Sequence, residues 1–482
     1  MDDEHPQGRV PDWSTKFTFG IQSAKSIRFW CARSSRLTVL ASFRRSRDKE
    51  DIGLSAAKEN FSLMKKFKMF AILVWIFTPI PATPQSSIRT VVVISLDGFP
   101  AYALKDTALP VSTLRRLMAE GAYADSMKPI NPTVTWPNHT AMVTGVNAIQ
   151  HQVLFNGLLS GADPHHPRKV EPWRPKEQMV RSPTVYDLAF QAGMITAQVD
   201  WVAIYDAKTI TWQFAERPDP EGKIERELIA AGEVTKEQLR SFAGQNSAWQ
   251  DRIWADAAVD ILEKHTPNLL LVHFLVLDSI NHKFGPGSAN QTTVIIVSDH
   301  GFRSVQKEIH SNVLLRQKGF AAPGKGSVWV IPDGGVAMVY VTDPGQRSTL
   351  LPELRALFQN LEGVDHVYDA SEFLSLGLPT RAQSDQAPDL LLSAKPGYLF
   401  EDGTAGDLVS PSRDRGAHGY LSDDLLMQPI FIASGAGIKK GVQLPQVCNV
   451  DVAPTIAVLL GPDMKNTSGH AILEILESPG VH

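Results

Sequence analysis

The chain has 482 residues, 43% of them hydrophobic, which is enough for one large α/β domain or two smaller ones. Its 47 basic and 51 acidic residues leave a net charge of −4, which argues against a protein dedicated to binding nucleic-acid polymers. There are only two cysteines, so we do not expect a disulfide framework to hold the fold together.

The first 84 residues differ in composition from the rest. Residues 1–63 are rich in Arg, Lys and Ser and show no apolar period, so we expect a disordered or spurious N-terminal extension. From Met64, a basic start, an apolar run and small residues near Ala82 follow the layout of a secretory signal peptide. The run is too short for a stable membrane span, which needs about 20 residues. The sequence therefore predicts a signal peptide at about 64–84, translation from Met64, and a secreted or periplasmic protein. A basic tail before a short buried helix is the alternative.

From residue 85 to residue 482 the pattern predicts one α/β catalytic domain. Apolar runs that suit central parallel strands, buried on both faces, alternate with helical stretches. The runs are 90–98, 268–278, 293–301, 389–394 and 428–434. Helices are predicted at 110–121, 248–265 and 451–461. This order predicts a doubly wound, mostly parallel sheet flanked by helices, with a smaller cap inserted at about 303–415, where turns and short strands dominate.

Acidic residues end three of the predicted strands, and histidines lie near two of them. In open α/β sheets, ligands bind in the crevice at the carboxyl ends of the strands. A single acid there is commonly a helix cap, but carboxylate and imidazole together suit Zn²⁺. Six such side chains are too many for one tetrahedral ion and the right number for two. The six are Asp97, Asp278, His282, Asp299, His300 and His418.

The segment PTVTWPNHT, residues 132–140, places Thr135 between two prolines, where the chain cannot be inside a regular helix or strand. Trp136 offers a face on which a base or another planar leaving group can stack. Asn138 is predicted to cap the following helix rather than contact substrate, and His139 to be a packed, hydrogen-bonded residue.

Five motifs in this order resemble the nucleotide pyrophosphatase/phosphodiesterase family of the alkaline phosphatase superfamily, over roughly residues 89–470. They are LDG, PTVTWPNHT, DSINH, SDHG and GAHGY. Each motif is weak alone, whereas the ordered set is specific. The resemblance implies an alkaline phosphatase-like fold and two zinc ions per chain. It implies one ion held by Asp278, His282 and His418, and a second held by Asp97, Asp299 and His300.

The same resemblance implies that Thr135 is the nucleophile, in contact with the second zinc, and that Asn156 binds a phosphoryl oxygen. The implied function is a two-zinc hydrolase that cleaves a nucleotide pyrophosphate or phosphodiester through a covalent threonyl intermediate. Its substrate is then a small phosphodiester or nucleotide. Tyr205, with Asp200 and Trp201, is a candidate for lining the substrate pocket, and a position in the core is equally open for Trp201. The oligomeric state is left open.

One segment departs from the family pattern. Only 16 residues separate His282 from Asp299, and the stretch KFGPGSANQ has no apolar period. Parallel strands need a crossover of a dozen or more residues, usually a helix, and the family carries one here. The sequence therefore predicts that a crossover helix is missing and that part of the sheet is uncovered.

Three alternatives stay open at this point. A phosphomonoesterase or phosphonate hydrolase of the same superfamily is the nearest, although a monoesterase usually needs an extra positive group and no Arg lies in residues 132–140. A sulfatase would be expected to carry Cys or Ser in place of Thr135. A catalytically inactive binding protein is suggested by the missing crossover.

Overall fold

The computed structural model describes residues 90–161, 168–275, 292–320 and 327–477, apart from Ala108 and Pro110. The predicted N-terminal extension and signal peptide therefore lie outside the described residues, as do the predicted zinc ligands Asp278 and His282. Among the described helices, none combines the length and the apolar character that crossing a membrane requires.

Short strands outnumber long ones in the described part of the chain. In chain order they are β1 (Thr90–Leu96), β2 (Ala122–Ala124), β3 (Met127–Lys128), β4 (Leu158–Ser160), β5 (Lys169–Glu171), β6 (Thr196–Val199), β7 (Trp212–Phe214), β8 (Leu269–Phe274), β9 (Thr292–Val297), β10 (Arg303–Ser304), β11 (Lys307–Ile309), β12 (Val328–Asp333), β13 (Val336–Val341), β14 (Val364–Asp369), β15 (Leu390–Ala394), β16 (Tyr398–Phe400), β17 (Val409–Pro411), β18 (Gly416–Ala417), β19 (Phe431–Gly435), β20 (Val442–Leu444) and β21 (Val447–Cys448).

The helices follow local sequence signals. They are α1 (Ser112–Glu120), α2 (Thr135–Thr144), α3 (Ala148–His151), α4 (Lys176–Met179), α5 (Val185–Gln191), α6 (Lys223–Ala231), α7 (Lys236–Arg240), α8 (Ser247–His265), α9 (Ser311–Gln317), α10 (Arg347–Gln359) and α11 (Val452–Leu460). Helix α8 begins where the Asn246 side chain accepts the amide of Trp249, which satisfies one of the free N–H groups of its first turn. Helix α11 ends at Gly461, whose φ of +97° is a left-handed conformation that glycine adopts without strain.

The main sheet has eight strands in the order β20-β2-β19-β9-β1-β8-β6-β7. All neighbouring pairs are parallel except the two that β19 makes with β9 and β2. A four-stranded antiparallel sheet, β12-β13-β15-β14, lies within the segment 303–415, for which a cap insertion is predicted. The predicted mostly parallel sheet flanked by helices is confirmed.

Both faces of the main sheet are buried, which explains the uninterrupted apolar runs. On β1, Val91 and Val93 pack with α2, α5 and α11, whereas Val92 and Ile94 pack with α1, α6 and α8. Burying one such aliphatic side chain contributes about 1.5–3 kcal/mol. The helices are therefore fixed on each face, and the carboxyl ends of β1, β8 and β9 are held side by side.

Two of the predicted central strands differ from the expectation. Residues 390–394 form β15, which pairs antiparallel with β13 and β14 in the second sheet. Residues 431–435 form β19 in the main sheet, but antiparallel to β9. An apolar run reports burial on both faces and says nothing of strand direction, which is why these two strands were not distinguished from the parallel ones.

The crossover predicted to be short joins β8 to β9. These strands flank β1 on its two sides, both parallel to it, so the connection must cross β1. Residues 276–291 of this connection lie outside the described residues. The missing helix and the uncovered face stay predictions.

Candidate functional site

The segment that carries Thr135 is fixed by the side chain of Asn138. Its Oδ1 accepts the amide of Ile130 at 2.8 Å, and its Nδ2 donates to the carbonyl oxygens of Pro132 and Val134, both at 2.9 Å. The prediction that Asn138 caps the helix is wrong. Asn138 lies inside α2, and its side chain binds the loop that precedes the helix. The Asn138 side chain thereby contacts three backbone groups of the loop, and Thr135 is set at the first position of the helix.

Thr135 presents its hydroxyl at the start of α2, as predicted. Its Oγ1 lies 3.5 Å from Nε2 of His300, and the residue is 8% exposed. Of the first four helical residues, Pro137 has no N–H, Asn138 donates to Val134, and Trp136 donates to Asn156. Only the Thr135 amide among these four is left to meet an anion at the helix start.

Asp299 and His300 follow β9 and are both fully buried. Oδ1 of Asp299 accepts the amides of Gly98 and His300, both at 3.0 Å, whereas its Oδ2 has no hydrogen-bond partner among the residues that the structure describes. Nδ1 of His300 donates to the carbonyl oxygen of Gly301 at 3.1 Å, which directs Nε2 towards Thr135 and Asp299. Oδ1 of Asp299 and Nδ1 of His300 are therefore anchored, and Oδ2 of Asp299 and Nε2 of His300 lie close to each other.

Gly98 allows the backbone to approach Asp299 this closely. Its φ is +63°, and a Cβ there would lie 2.7 Å from the Phe302 ring. A larger residue would need both a strained backbone and a displaced ring, so the amide that holds Asp299 depends on glycine.

Asp97 follows β1 at the same edge of the sheet. Its Oδ1 lies 3.6 Å from Nε2 of His300, and its Oδ2 lies 3.4 Å from Nε2 of His273 on β8. Burial would raise the pKa of the Asp97 carboxyl, but the hydrogen bond and the charge of His273 outweigh burial and lower it. Burial likewise opposes a charge on His273, but Asp200 and Asp97 raise the pKa of that imidazole well above its ordinary value.

His418 approaches from the loop after β18. Its Nδ1 donates to the carbonyl oxygen of Thr133 at 3.2 Å, and the amide of Gly419 donates to the same oxygen at 3.0 Å. Its ring stacks on His300 with 3.9 Å between centroids, and Nε2 is left for a ligand. Burial and the neighbouring His300 lower the pKa of His418 to about 4, so the neutral, metal-binding form prevails at pH 7.

These side chains fit a zinc ion. One ligand atom from each of Asp97, Asp299 and His300 lies within 4.8 Å of the others, and within the described part of the chain the buried Oδ2 of Asp299 makes no hydrogen bond. Two carboxylates and an imidazole are a donor set that suits Zn²⁺. The three residues expected to share the second zinc are thus brought together, with Thr135 beside them. His418 is stacked on His300, and the other two residues expected to hold the first zinc lie outside the described residues.

A second carboxylate–histidine group lies between α6 and α8, formed by Glu227, Asp260 and His265. Lys264 contacts both of these carboxylates and already supplies a positive charge. We therefore do not assign a metal there.

A cavity of about 170 Å³ opens beside Thr135. Oδ1 of Asn156 accepts the Trp136 amide at 2.9 Å, which fixes the orientation of the amide and turns Nδ2 away from that contact. Asn156 is exposed, so Nδ2 can donate to a bound group, as the predicted phosphoryl contact requires. The cavity is lined by Asp97, Thr135, Trp136, Asn156, Asp200, Val202, Glu216, His273 and Leu275.

Tyr205 lies behind Trp136 rather than in the cavity wall. The two rings are 5.5 Å apart and inclined at 44°. The Tyr205 hydroxyl donates to Oε2 of Glu216, and the same oxygen accepts Nε1 of Trp173 at 2.9 Å. Glu216 thus lines the cavity with one oxygen held by two aromatic side chains.

His139 and Trp201 are core residues. Nδ1 of His139 donates to the carbonyl oxygen of Thr135 at 2.8 Å, and burial lowers the pKa of His139 to about 4. Trp201 is 1% exposed and packs edge-on against His139. The packed role predicted for His139 is confirmed, and of the two positions open to Trp201, the core is the observed one.

Sequence reasoning missed His273 and Glu216. His273 is the single polar residue of β8, near its carboxyl end, and a polar residue in an otherwise apolar strand is a usable signal. Glu216 follows β7 by two residues, so the rule that picked out Asp97 would also have found it.

Comparison with known proteins agrees with this geometry. Residues 91–291 and 287–421, more than half of the chain, match the family model described as type I phosphodiesterase/nucleotide pyrophosphatase. The two matched segments meet at 287–291, inside the stretch where the crossover is predicted to be short.

Curated relatives cover most of this chain at low identity. Ectonucleotide pyrophosphatase/phosphodiesterase family member 1 of Rattus norvegicus is 24% identical over 421 residues, which is 80% of this chain and 42% of the relative. Family member 7 of Mus musculus is 23% identical over 421 residues, 79% of this chain and 85% of the relative. The chain therefore spans less than half the length of the first of these.

Solved structures share the fold. Human ectonucleotide pyrophosphatase/phosphodiesterase 5 superposes with a TM-score of 0.60 at 16% identity, covering 81% of this chain and 100% of that one. An inactive variant of the murine protein of the same name, in complex with AMP, has a TM-score of 0.58 at 17% identity, with the same coverage. The predictions of the family and the fold are thereby confirmed, and the chain belongs to the type I phosphodiesterase/nucleotide pyrophosphatase family.

Proposed function

We propose that this protein is a two-zinc hydrolase that cleaves phosphodiester or nucleotide pyrophosphate bonds of small molecules through a covalent intermediate on Thr135. The observation that carries the proposal is the convergence of the Thr135 hydroxyl with Nε2 of His300, which also lies 3.3 Å from Oδ2 of Asp299, beside a cavity that Thr135 lines. The names of the relatives, and the AMP bound by one murine neighbour, support a nucleotide substrate.

Asp97, Asp299 and His300 would hold one zinc, and Asp278, His282 and His418 the other. When bound, the ions would lower the pKa of the threonine hydroxyl and stabilise charge on the attacking and leaving oxygens. Oγ1 of Thr135 forms a bond to phosphorus as the bond to the leaving oxygen breaks. Water then cleaves the threonyl ester, which restores the hydroxyl and releases a phosphomonoester. Asn156 donates to a phosphoryl oxygen, and Trp136 stacks on a planar leaving group.

One assay tests this function. Hydrolysis rates are measured on a nitrophenyl phosphodiester, a phosphomonoester and a sulfate ester, each with and without chelator. The diester should react fastest, and chelation should abolish the reaction until zinc is restored. A fastest reaction on the monoester or on the sulfate ester would contradict the proposal.

A phosphomonoesterase or phosphonate hydrolase is the nearest alternative. A monoester carries one more negative oxygen than a diester and usually needs an additional cationic side chain. None of the nine residues that line the described cavity is Lys or Arg. This lining favours the diester.

An inactive binding protein is the second alternative, motivated by the short crossover between β8 and β9. Such a protein would hold zinc and bind AMP but turn over none of the three esters. Zinc content measured beside the rates distinguishes this outcome from failed metal loading.

Export is part of the proposal. The relatives are named as ectoenzymes, and residues 64–84 have the layout of a signal peptide. Expression from Met64 should give a mature N-terminus near Ala82. A mature N-terminus upstream of residue 64 would contradict this and make residues 1–63 real protein.

A further inference from the structure

His273 lies between two carboxylates at the edge of the candidate metal site. It is 2% exposed, with Nε2 3.4 Å from Oδ2 of Asp97 and Nδ1 3.2 Å from Oδ2 of Asp200. We propose that His273 is a positioning residue that holds Asp97 in its metal-ligating orientation, and that Asp200 in turn fixes His273. This inference rests on the proposed zinc-dependent function and concerns residues for which the family resemblance implies no metal role.

Asp97 needs a positioning partner because, among the described residues, no backbone amide holds its carboxylate as two amides hold that of Asp299. Two amides and the Ser298 hydroxyl anchor Oδ1 of Asp299. Within the described part of the chain, the ion-pair contacts of the Asp97 carboxylate are to His273 and His300, on opposite oxygens. The oxygen that faces His300 points to the site, so the contact with His273 sets the rotation of the whole carboxylate.

Asp200 fixes the imidazole in turn. It is 1% exposed and has a φ of +56°, and both its carboxylate and its carbonyl oxygen lie within 3.3 Å of Nδ1 of His273. The His139 ring packs against the His273 ring with 4.5 Å between centroids. With Nδ1 donating to Asp200 and the ring plane held by packing, Nε2 can only point towards Asp97.

Removing such an outer partner of a metal ligand typically costs 10–100-fold in metal affinity or activity. Loss of His273 frees Asp97 to rotate and leaves the Asp200 carboxylate buried without its partner. Zinc affinity is therefore the decisive readout, because it does not require turnover and so separates failure of this inference from failure of the proposed function.

The test measures zinc dissociation constants, by chelator competition, for the full chain and three variants. His273→Phe keeps a buried ring but cannot donate, and Asp200→Asn weakens the anchor while leaving the imidazole. His151→Phe is the matched control, because His151 is also a fully buried histidine, but its ring accepts the amide of Val153 and has no carboxylate partner among the described residues. We expect zinc binding weakened about 10–100-fold at one of two sites in His273→Phe, a smaller loss in Asp200→Asn, and no change in the control.

Added zinc should restore part of the turnover of His273→Phe, with the remaining loss in kcat rather than KM. Wild-type zinc affinity in a folded His273→Phe protein would overturn the inference, and so would an equal loss in His151→Phe. If His273→Phe does not fold, Asp200→Asn decides, and unchanged zinc affinity there overturns the inference.

Discussion

The metal side and the pocket side of the candidate site are held in place by different kinds of contact. On the metal side, formed by Asp97, Asp299, His300 and His418, three of the four ligands are anchored by backbone groups: Asp299 and His418 by those of distant segments, and His300 by that of the next residue, Gly301. On the pocket side, Trp136 and Glu216 line the cavity and are held by Trp173 and Tyr205, which do not. Glu216 accepts from Trp173 and Tyr205, and Tyr205 packs on Trp136.

This difference suggests that the metal side determines turnover and the pocket side determines substrate preference. Backbone anchors depend on the path of the chain, so the metal side changes only if strand ends or glycine turns change. Side-chain anchors can be replaced one at a time. We therefore expect substitutions on the metal side to abolish turnover, and those on the pocket side to change which substrate is preferred.

The largest effect is expected for Thr135→Ala. Losing the nucleophile should lower diester turnover by at least about 10³-fold while zinc stays bound, because the six other ligands remain. Thr144→Ala is the control: its hydroxyl donates to the carbonyl oxygen of Thr140 two turns along the same helix, away from the cavity. Substantial turnover by Thr135→Ala would mean that water, not threonine, attacks phosphorus.

Asp299→Ala should remove one metal site. The wild-type protein should hold close to two zinc ions per chain, and the variant close to one, with turnover at least about 100-fold lower, because even outer partners of metal ligands cost 10–100-fold. Asp187→Ala is the control, since Asp187 is also buried but pairs with Lys176 at the start of α5. Elemental analysis that finds one ion or none in fully active wild-type protein would refute the two-metal assignment.

Asn138→Ala tests whether the loop before α2 positions Thr135. The variant leaves the amide of Ile130 without the acceptor that Asn138 supplies, and it removes one of the two donors to each of the Pro132 and Val134 carbonyl oxygens. An unsatisfied buried group costs about 1–3 kcal/mol. We expect a lower melting temperature and a kcat lower by about 10–100-fold, since small misplacements of a reacting group are costly.

Asn312→Ala is matched to that variant, because the buried Asn312 amide likewise bridges the N–H and C=O of Val330, but in the second sheet. It should lower stability and leave kcat unchanged. Equal losses of kcat in both variants would show that global stability, not the position of Thr135, limits turnover.

The sequence predicts which carboxylates come together at the edge of the sheet. Asp97 and Asp299 were found because acids that follow buried parallel strands share an edge of the sheet, and the ordered motifs supplied Thr135 and His418. The helix starts and stops near α1, α8 and α11 were also predicted, because caps and glycines are local signals.

The remainder depends on tertiary contacts. The direction of β19 and the sheet to which β15 belongs follow from pairing, which a run buried on both faces does not encode. The sequence position of Asn138 suits a helix cap, whereas its side-chain amide binds the loop before α2. The contact between Tyr205 and Glu216 joins two irregular segments, and no period or motif predicts it.

The smallest effect is expected on the pocket side. Glu216→Gln keeps the shape of the side chain but removes the charge that accepts from Tyr205 and Trp173. Because Glu216 lines the cavity without belonging to the ligand set, the variant should keep its zinc and its rate on a small nitrophenyl diester. Its kcat/KM for a nucleotide diester should change by about tenfold, the effect of roughly 1.4 kcal/mol in one contact.

Tyr205→Phe removes one of the two donors to Glu216 while keeping the ring beside Trp136. It should therefore change kcat/KM for the nucleotide diester in the same direction as Glu216→Gln, but by a smaller factor. Glu221→Gln is the control, because Glu221 is an exposed carboxylate that lies five residues after Glu216 and pairs with Lys236. This variant should change neither rate. If Glu216→Gln lost activity equally on both substrates, or lost zinc, Glu216 would belong to the metal side. The distinction between the metal side and the pocket side would then be wrong.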